Sequence, residues 1–97
     1  MRNPKPRAQK SKSPIRVGNK VFIRTVTHYH TGKIVEINKD HIVLEKAAWI
    51  ADTGRFASAL ASGELNEVEP FKAPVAVFLS AIIDITDWNH DLPEKQK

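Results

Sequence analysis

The sequence predicts a small, mainly β domain with one short helix and a basic N-terminal arm. Three observations point there: several runs of β-branched residues at strand length, an Asn-Lys-Asp junction with turn chemistry between two of them, and one alanine-rich segment with capping residues at its ends. The 97 residues, 41% of them apolar, suffice for one small domain and not two, with one compact core expected. A domain of this size buries only roughly 60–65% of the surface its unfolded chain exposes, so stabilisation by self-association is a natural expectation.

The chain opens on "MRNPKPRAQKSKSPIR", where Arg2, Lys5, Arg7, Lys10, Lys12 and Arg16 meet no acid, while the remainder holds nine bases against eleven acids. The basic character therefore belongs to the N-terminal segment. With Pro4, Pro6, Pro14 and two serines, residues 1–14 have too little to bury to offset their ordering entropy and are expected to form a disordered arm. Such an arm suits a polyanion, because each neutralised phosphate releases a counterion. The folded domain is expected over 15–90, with a frayed C-terminus at 91–97.

"KVFIRTVTH" alternates Val21, Ile23 and Thr25 with Phe22, Arg24 and Val26, the pattern of a strand. "TGKIVEI" and "HIVLEKAAWI" are two more strand runs, and Asn38-Lys39-Asp40 between them makes a hairpin. Thr27 to Thr31, with His28, Tyr29 and His30, reads as the loop entering the second strand. Two imidazoles without a third ligand make a poor metal site, so no metal and no cofactor are expected. Tyr29, flanked by histidines, is a candidate for stacking on a base. "DTGRFASALASGE" reads as a helix, with Asp52 or Thr53 capping its start, Phe56 and Leu60 on one face, and Gly63 as a left-handed stop. The polar "ELNEVEP" follows as a loop, then "VAVFLS" and "AIIDITDW" as strands. Trp49 and Phe56 are expected to pack the helix onto the sheet, and Trp88 to anchor the chain end.

The absence of cysteine excludes disulfides and thiol chemistry. No apolar stretch follows the basic start, and "APVAVFLSAII" is too short to span a bilayer, so a soluble, cytoplasmic protein is expected.

The segment Val21 to Lys46, with Gly32, Ile34, Asn38, Ile42 and Leu44, resembles the first motif of the Sm, LSm and Hfq proteins, and "VAVFLSAIIDI" resembles their second. The resemblance implies a small, strongly bent five-stranded antiparallel barrel, with an insertion at about 51–73 between strands three and four carrying the helix. It also implies rings of about five to seven subunits, joined edge to edge through Val75, Val77, Phe78, Ile82 and Ile83. Its RNA-binding members use the loop between strands two and three, which implies that Asn38, Lys39 and His41 contact RNA or single-stranded nucleic acid, with Ser80 in the loop before the last strand. Arg2, Lys5, Arg7, Lys10 and Lys12 of the arm would add phosphate contacts. Asp40, however, stands where Hfq carries a stacking aromatic, and Leu79-Ser80 supplies no cation. With the insertion and the arm, the chain is similar to a divergent branch of bacteriophage origin. The alternative is a structural or protein-interaction ring, such as a phage assembly component. Neither reading is enzymatic.

A further alternative is an aspartic protease, since Asp52-Thr53-Gly54 follows an apolar strand and paired aspartates can share one proton. Arg55 would crowd such a site, and helix capping is the favoured reading of Asp52.

Overall fold

β1 (Lys20–Thr25) sets the architecture, because Val21, Phe22 and Ile23 are all buried and therefore demand a core on each face of one sheet. The computed structural model describes residues 13–97; Arg2, Lys5, Arg7, Lys10 and Lys12 of the expected arm lie outside the described residues. The elements that follow are β2 (Tyr29–Ile37), β3 (His41–Asp52), α1 (Phe56–Ser62), β4 (Glu67–Pro70), β5 (Val75–Phe78), a 3-10 turn at Leu79–Ala81, and β6 (Ile82–Asp87).

The six strands form one antiparallel sheet in the order β4-β3-β2-β1-β6, with β5 also paired to β3. β4 and β5 share the same edge of β3 end to end. β5 faces His41 to Leu44, and β4 faces Ala48 to Asp52. The expected five-stranded closed barrel is therefore incorrect: the domain is a mixed α/β fold with an open six-stranded sheet. Two local features set the sheet's edges. The 3-10 turn sends β6 to the free edge of β1 instead of back onto β5, and its first amide, Leu79 N–H, donates to the Asp40 carbonyl at 2.9 Å. The insertion, expected as helix plus loop, adds β4 as a strand of its own.

One face buries Val21, Ile23, Ile34, Ile42, Leu44, Ala47 and Val77. The opposite face buries Phe22, Ala48, Ile50, Leu65, Val68 and Trp88 beneath Ala59 of α1, so the single core expected is instead two, divided by the sheet. β3 contributes to both because it bulges at Lys46, whose φ is 52°. Ile42 and Leu44 precede the bulge and point to the first core, whereas Ala48 and Ile50 follow it and point to the second. Gly32 sits across from this bend, where a Cβ would lie 3.0 Å from the Cβ of Leu44 and 3.3 Å from that of Ala47.

α1 begins at Phe56 without the expected side-chain cap. The Asp52 carboxylate instead accepts the Gly54 N–H at 2.8 Å, closing the turn between β3 and the helix. Gly63 ends the helix in the left-handed conformation, as its position predicts. Trp88 is buried and its indole N–H donates to the Asp91 carbonyl at 3.1 Å, so it does anchor the chain after β6.

The edge-to-edge ring has no support in this arrangement. Val77 is buried in the first core, Val75 and Ile82 pack against it, and the backbone of β5 is bonded to β3. Only Phe78 and Ile83 of the expected interface remain exposed. The side chains of the apolar run pack mostly within the chain, Val77 in the first core with Val75, Leu79 and Ile82 against it.

Candidate docking surface

The residues expected to contact nucleic acid divide into two places. Asn38, Lys39 and His41 form the β2–β3 turn, and Ser80 lies beside it because the Leu79 amide bonds Asp40. Tyr29 stands at the other end of the sheet, its ring 5.7 Å from that of Phe22 at the margin of the second core. The turn's polar groups are occupied locally. Asn38 Nδ2 donates to Glu36 Oε2 at 2.8 Å and lies 3.0 Å from His41 Nε2, while His41 Nδ1 lies 2.6 Å from Asp40 Oδ1. That hydrogen bond from His41 holds the Asp40 carboxyl below its ordinary range, so an anionic group faces any ligand approaching the turn. Without closed barrel or ring, and with carboxylates beside the expected base-binding residues, the Sm-like RNA-binding reading and its ring alternative are corrected.

Asp52-Thr53-Gly54, the basis of the protease alternative, forms a turn between β3 and the helix. Asp52 is exposed and bonded to the Gly54 amide, and the Thr53 hydroxyl donates to the Gly54 carbonyl at 2.7 Å. Asp-Thr-Gly is here the chemistry of a tight turn.

A different surface gathers at the end of the sheet near the β1–β2 turn. Register pairs His30 with Ile23 on one side and with Trp49 on the other, which puts His30 and Trp49 on the face of the first core. Phe71, whose amide donates to the Ala47 carbonyl at 2.9 Å, joins them from the segment after β4. The rings form a row. His28 meets Trp49 edge-on at 4.9 Å, His28 and His30 are 6.4 Å apart, and His30 stacks on Phe71 at 6.0 Å. Around it Val26, Ile83, Phe71 and Trp49 remain 79%, 54%, 42% and 37% exposed. Val26, His28, Trp49 and Ile83, together with Tyr29 and the polar Arg24, Thr25 and Thr27, line a groove of about 400 Å³.

The sequence reading missed this row for identifiable reasons. His30 lies in β2 and not in a loop, and Trp49 turns away from the helix that it was expected to hold. Phe71 sits in a polar stretch. The available signal was the spacing of His28 and His30, two apart and hence on one side of an extended chain.

His30 gives the row a pH dependence. Burial, and secondarily His28, pushes its imidazole below the ordinary value of 6.5. The folded chain thus resists a proton that the unfolded chain accepts. Stability from this group is complete above about pH 6.5, the unfolded value, and falls as the pH drops through it toward the lower folded pKa. Urea unfolding should therefore show a midpoint that declines between pH 7.5 and pH 5. His30→Phe, which keeps a ring against Phe71, should flatten that decline, and an unaltered slope would place its origin elsewhere.

Among the described residues no group of three or more His, Cys, Asp or Glu side chains is placed to hold a metal ion, and no helix is long and apolar enough to cross a membrane. Comparison with known protein families, with characterised proteins and with solved structures finds no match to this chain.

Proposed function

We propose that this domain is a non-catalytic docking module that takes an apolar anchor side chain of a protein partner into the groove bounded by Val26, His28, Trp49 and Ile83. The observation that carries the reading is the concentration of exposed apolar side chains at one end of the sheet, set around two imidazoles. Exposed apolar residues gathered in one patch mark interaction sites more reliably than scattered ones. Aromatic anchors in a shallow pocket supply most of the energy of such contacts. A non-catalytic role fits the polar chemistry. Among the described residues, the buried side-chain polar atoms without a partner, His30 Nδ1 and Thr31 Oγ1, belong to neighbours in β2 that point to opposite faces, so they do not form a nucleophile and base.

Selection from a displayed library of random peptides tests this. Enriched sequences should share a large apolar residue, and binding should blue-shift the emission of exposed Trp49 while leaving that of buried Trp88 unchanged. Trp49→Ala and Ile83→Ser should each weaken the selected peptides at least about tenfold, the range of an interface hot spot. Failure to enrich any apolar sequence, or indifference to both substitutions, would remove the proposal.

A further inference from the structure

The outer edge of β4 is covered by the chain's own end. Val68 turns both of its main-chain polar groups away from β3: its N–H donates to the main-chain oxygen of Lys97 at 2.9 Å, and its carbonyl accepts the Lys97 N–H at 3.0 Å. A reciprocal pair of this kind is the bonding unit of an antiparallel ladder, so Lys97 is in effect a minimal added strand. Side chains extend the match. Gln96 Nε2 donates to both carboxylate oxygens of Glu69 at 3.1 and 3.2 Å, and Lys97 Nζ lies 3.4 Å from Glu64 Oε1. Glu64, Glu67 and Glu69 make this margin acidic.

The cover is lightly held. Leu92 packs against the second core, but residues 94–97 are all exposed, and their ionic contacts lie in water, where such pairs add little. We propose that the β4 edge is a strand-addition site for an extended, glutamine- and lysine-bearing segment of a protein partner, and that residues 94–97 occupy it in cis as a displaceable cover. Pro70 has no N–H to offer, so the added pairing is short and centred on Val68, with Glu69 and Glu64 selecting the side chains. The site borders the docking groove, since Glu69 pairs across from Trp49, but its main-chain bonds lie on the outer edge of β4, whereas Ile83 lines the groove from β6 at the opposite edge of the sheet.

The experiment uses a fluorescein-labelled peptide with the sequence of residues 91–97 as probe, read by fluorescence anisotropy. A cis occupant reduces apparent affinity by the fraction of open edge. A chain ending at Pro93 should therefore bind the probe at least about tenfold more tightly than the full chain. Lys97→Pro in the full chain, which deletes the N–H donated to Val68, should move affinity in the same direction. Glu69→Lys in the shortened chain should weaken the probe at least about tenfold. Equal affinity of full and shortened chains, or no binding to either, overturns the proposal. So does binding that is lost with Ile83→Ser and kept with Glu69→Lys, which would place the probe in the groove. If the shortened chain loses the near-ultraviolet dichroism of the folded protein, the comparison rests on Lys97→Pro, and unchanged affinity there overturns it equally.

Discussion

Phe22→Ala is expected to cost about 3–5 kcal/mol of stability, the range for deleting a large aromatic from a packed core. The position is exacting because Phe22 is buried at the centre of the second core. Its ring lies 5.5 Å from Phe56 of α1, 5.7 Å from Tyr29 of β2 and 5.8 Å from Trp88 after β6. One side chain thus joins the helix, the sheet and the end of the chain. Removing it leaves a cavity with walls from all three, which cannot close without moving each. For a domain whose total stability is of order 5–15 kcal/mol, such a loss leaves much of the chain unfolded at 37 °C. Urea unfolding followed by far-ultraviolet dichroism measures it. Phe22→Leu, which retains most of the volume, should recover more than half of the loss. A cost below about 1 kcal/mol for Phe22→Ala would mean that the helical side of the sheet is not part of the cooperative unit.

Gly63→Ala is expected to cost about 2–4 kcal/mol, for two separable reasons. Gly63 has φ of 79°, and a non-glycine residue in the left-handed region costs roughly 1–2 kcal/mol. A Cβ there would also lie 2.7 Å from His90 Cγ. His90 cannot readily withdraw, because its Nε2 donates to the Leu60 carbonyl at 2.6 Å and its ring meets Trp88 edge-on at 4.9 Å. Overpacking of this kind costs about 1–3 kcal/mol. Gly18→Ala isolates the backbone contribution, since Gly18 has φ of 92° and nothing within 4 Å of its virtual Cβ. Equal losses at the two positions in denaturant titrations would show that His90 yields freely, and that the helix end and the chain end are not wedged together.

These two glycines and Phe22 mark how far the sequence could be read. The alternation in "KVFIRT" gives the two faces of β1, and the stop at Gly63 follows from the alanine-rich run before it. The positions that carried the Sm-like resemblance, Ile34, Ile42 and Leu44, are all buried in the first core beside Gly32. In this chain they line the core of a bent sheet that stays open.

β4 was hidden because "NEVEP" buries only Val68, and one buried residue has no period. It is a strand because β3 offers a long free edge, not because its own side chains demand one. The aromatic row was hidden by a single residue. Period two carried through Lys46 would put Ala48 and Ile50 with Leu44 and turn Trp49 outward toward the helix. The bulge at Lys46 shifts that parity, sending Ala48 and Ile50 to the second core and Trp49 to the face it shares with His30.

The sequence by itself therefore determined the strand segments other than β4, the one helix and its end, the anchoring Trp88 and the lack of any thiol chemistry. Each of these is local, fixed by side-chain period, turn residues or composition within a few positions. Only the tertiary structure decided that the sheet stays open, that β4 exists, that the histidines meet Trp49 and Phe71, and that Lys97 covers Val68. Those outcomes depend on which edges remain free once the long strands have paired, and on the direction a 3-10 turn or a bulge gives the chain. Such consequences of chain path couple residues tens of positions apart and leave no period to read.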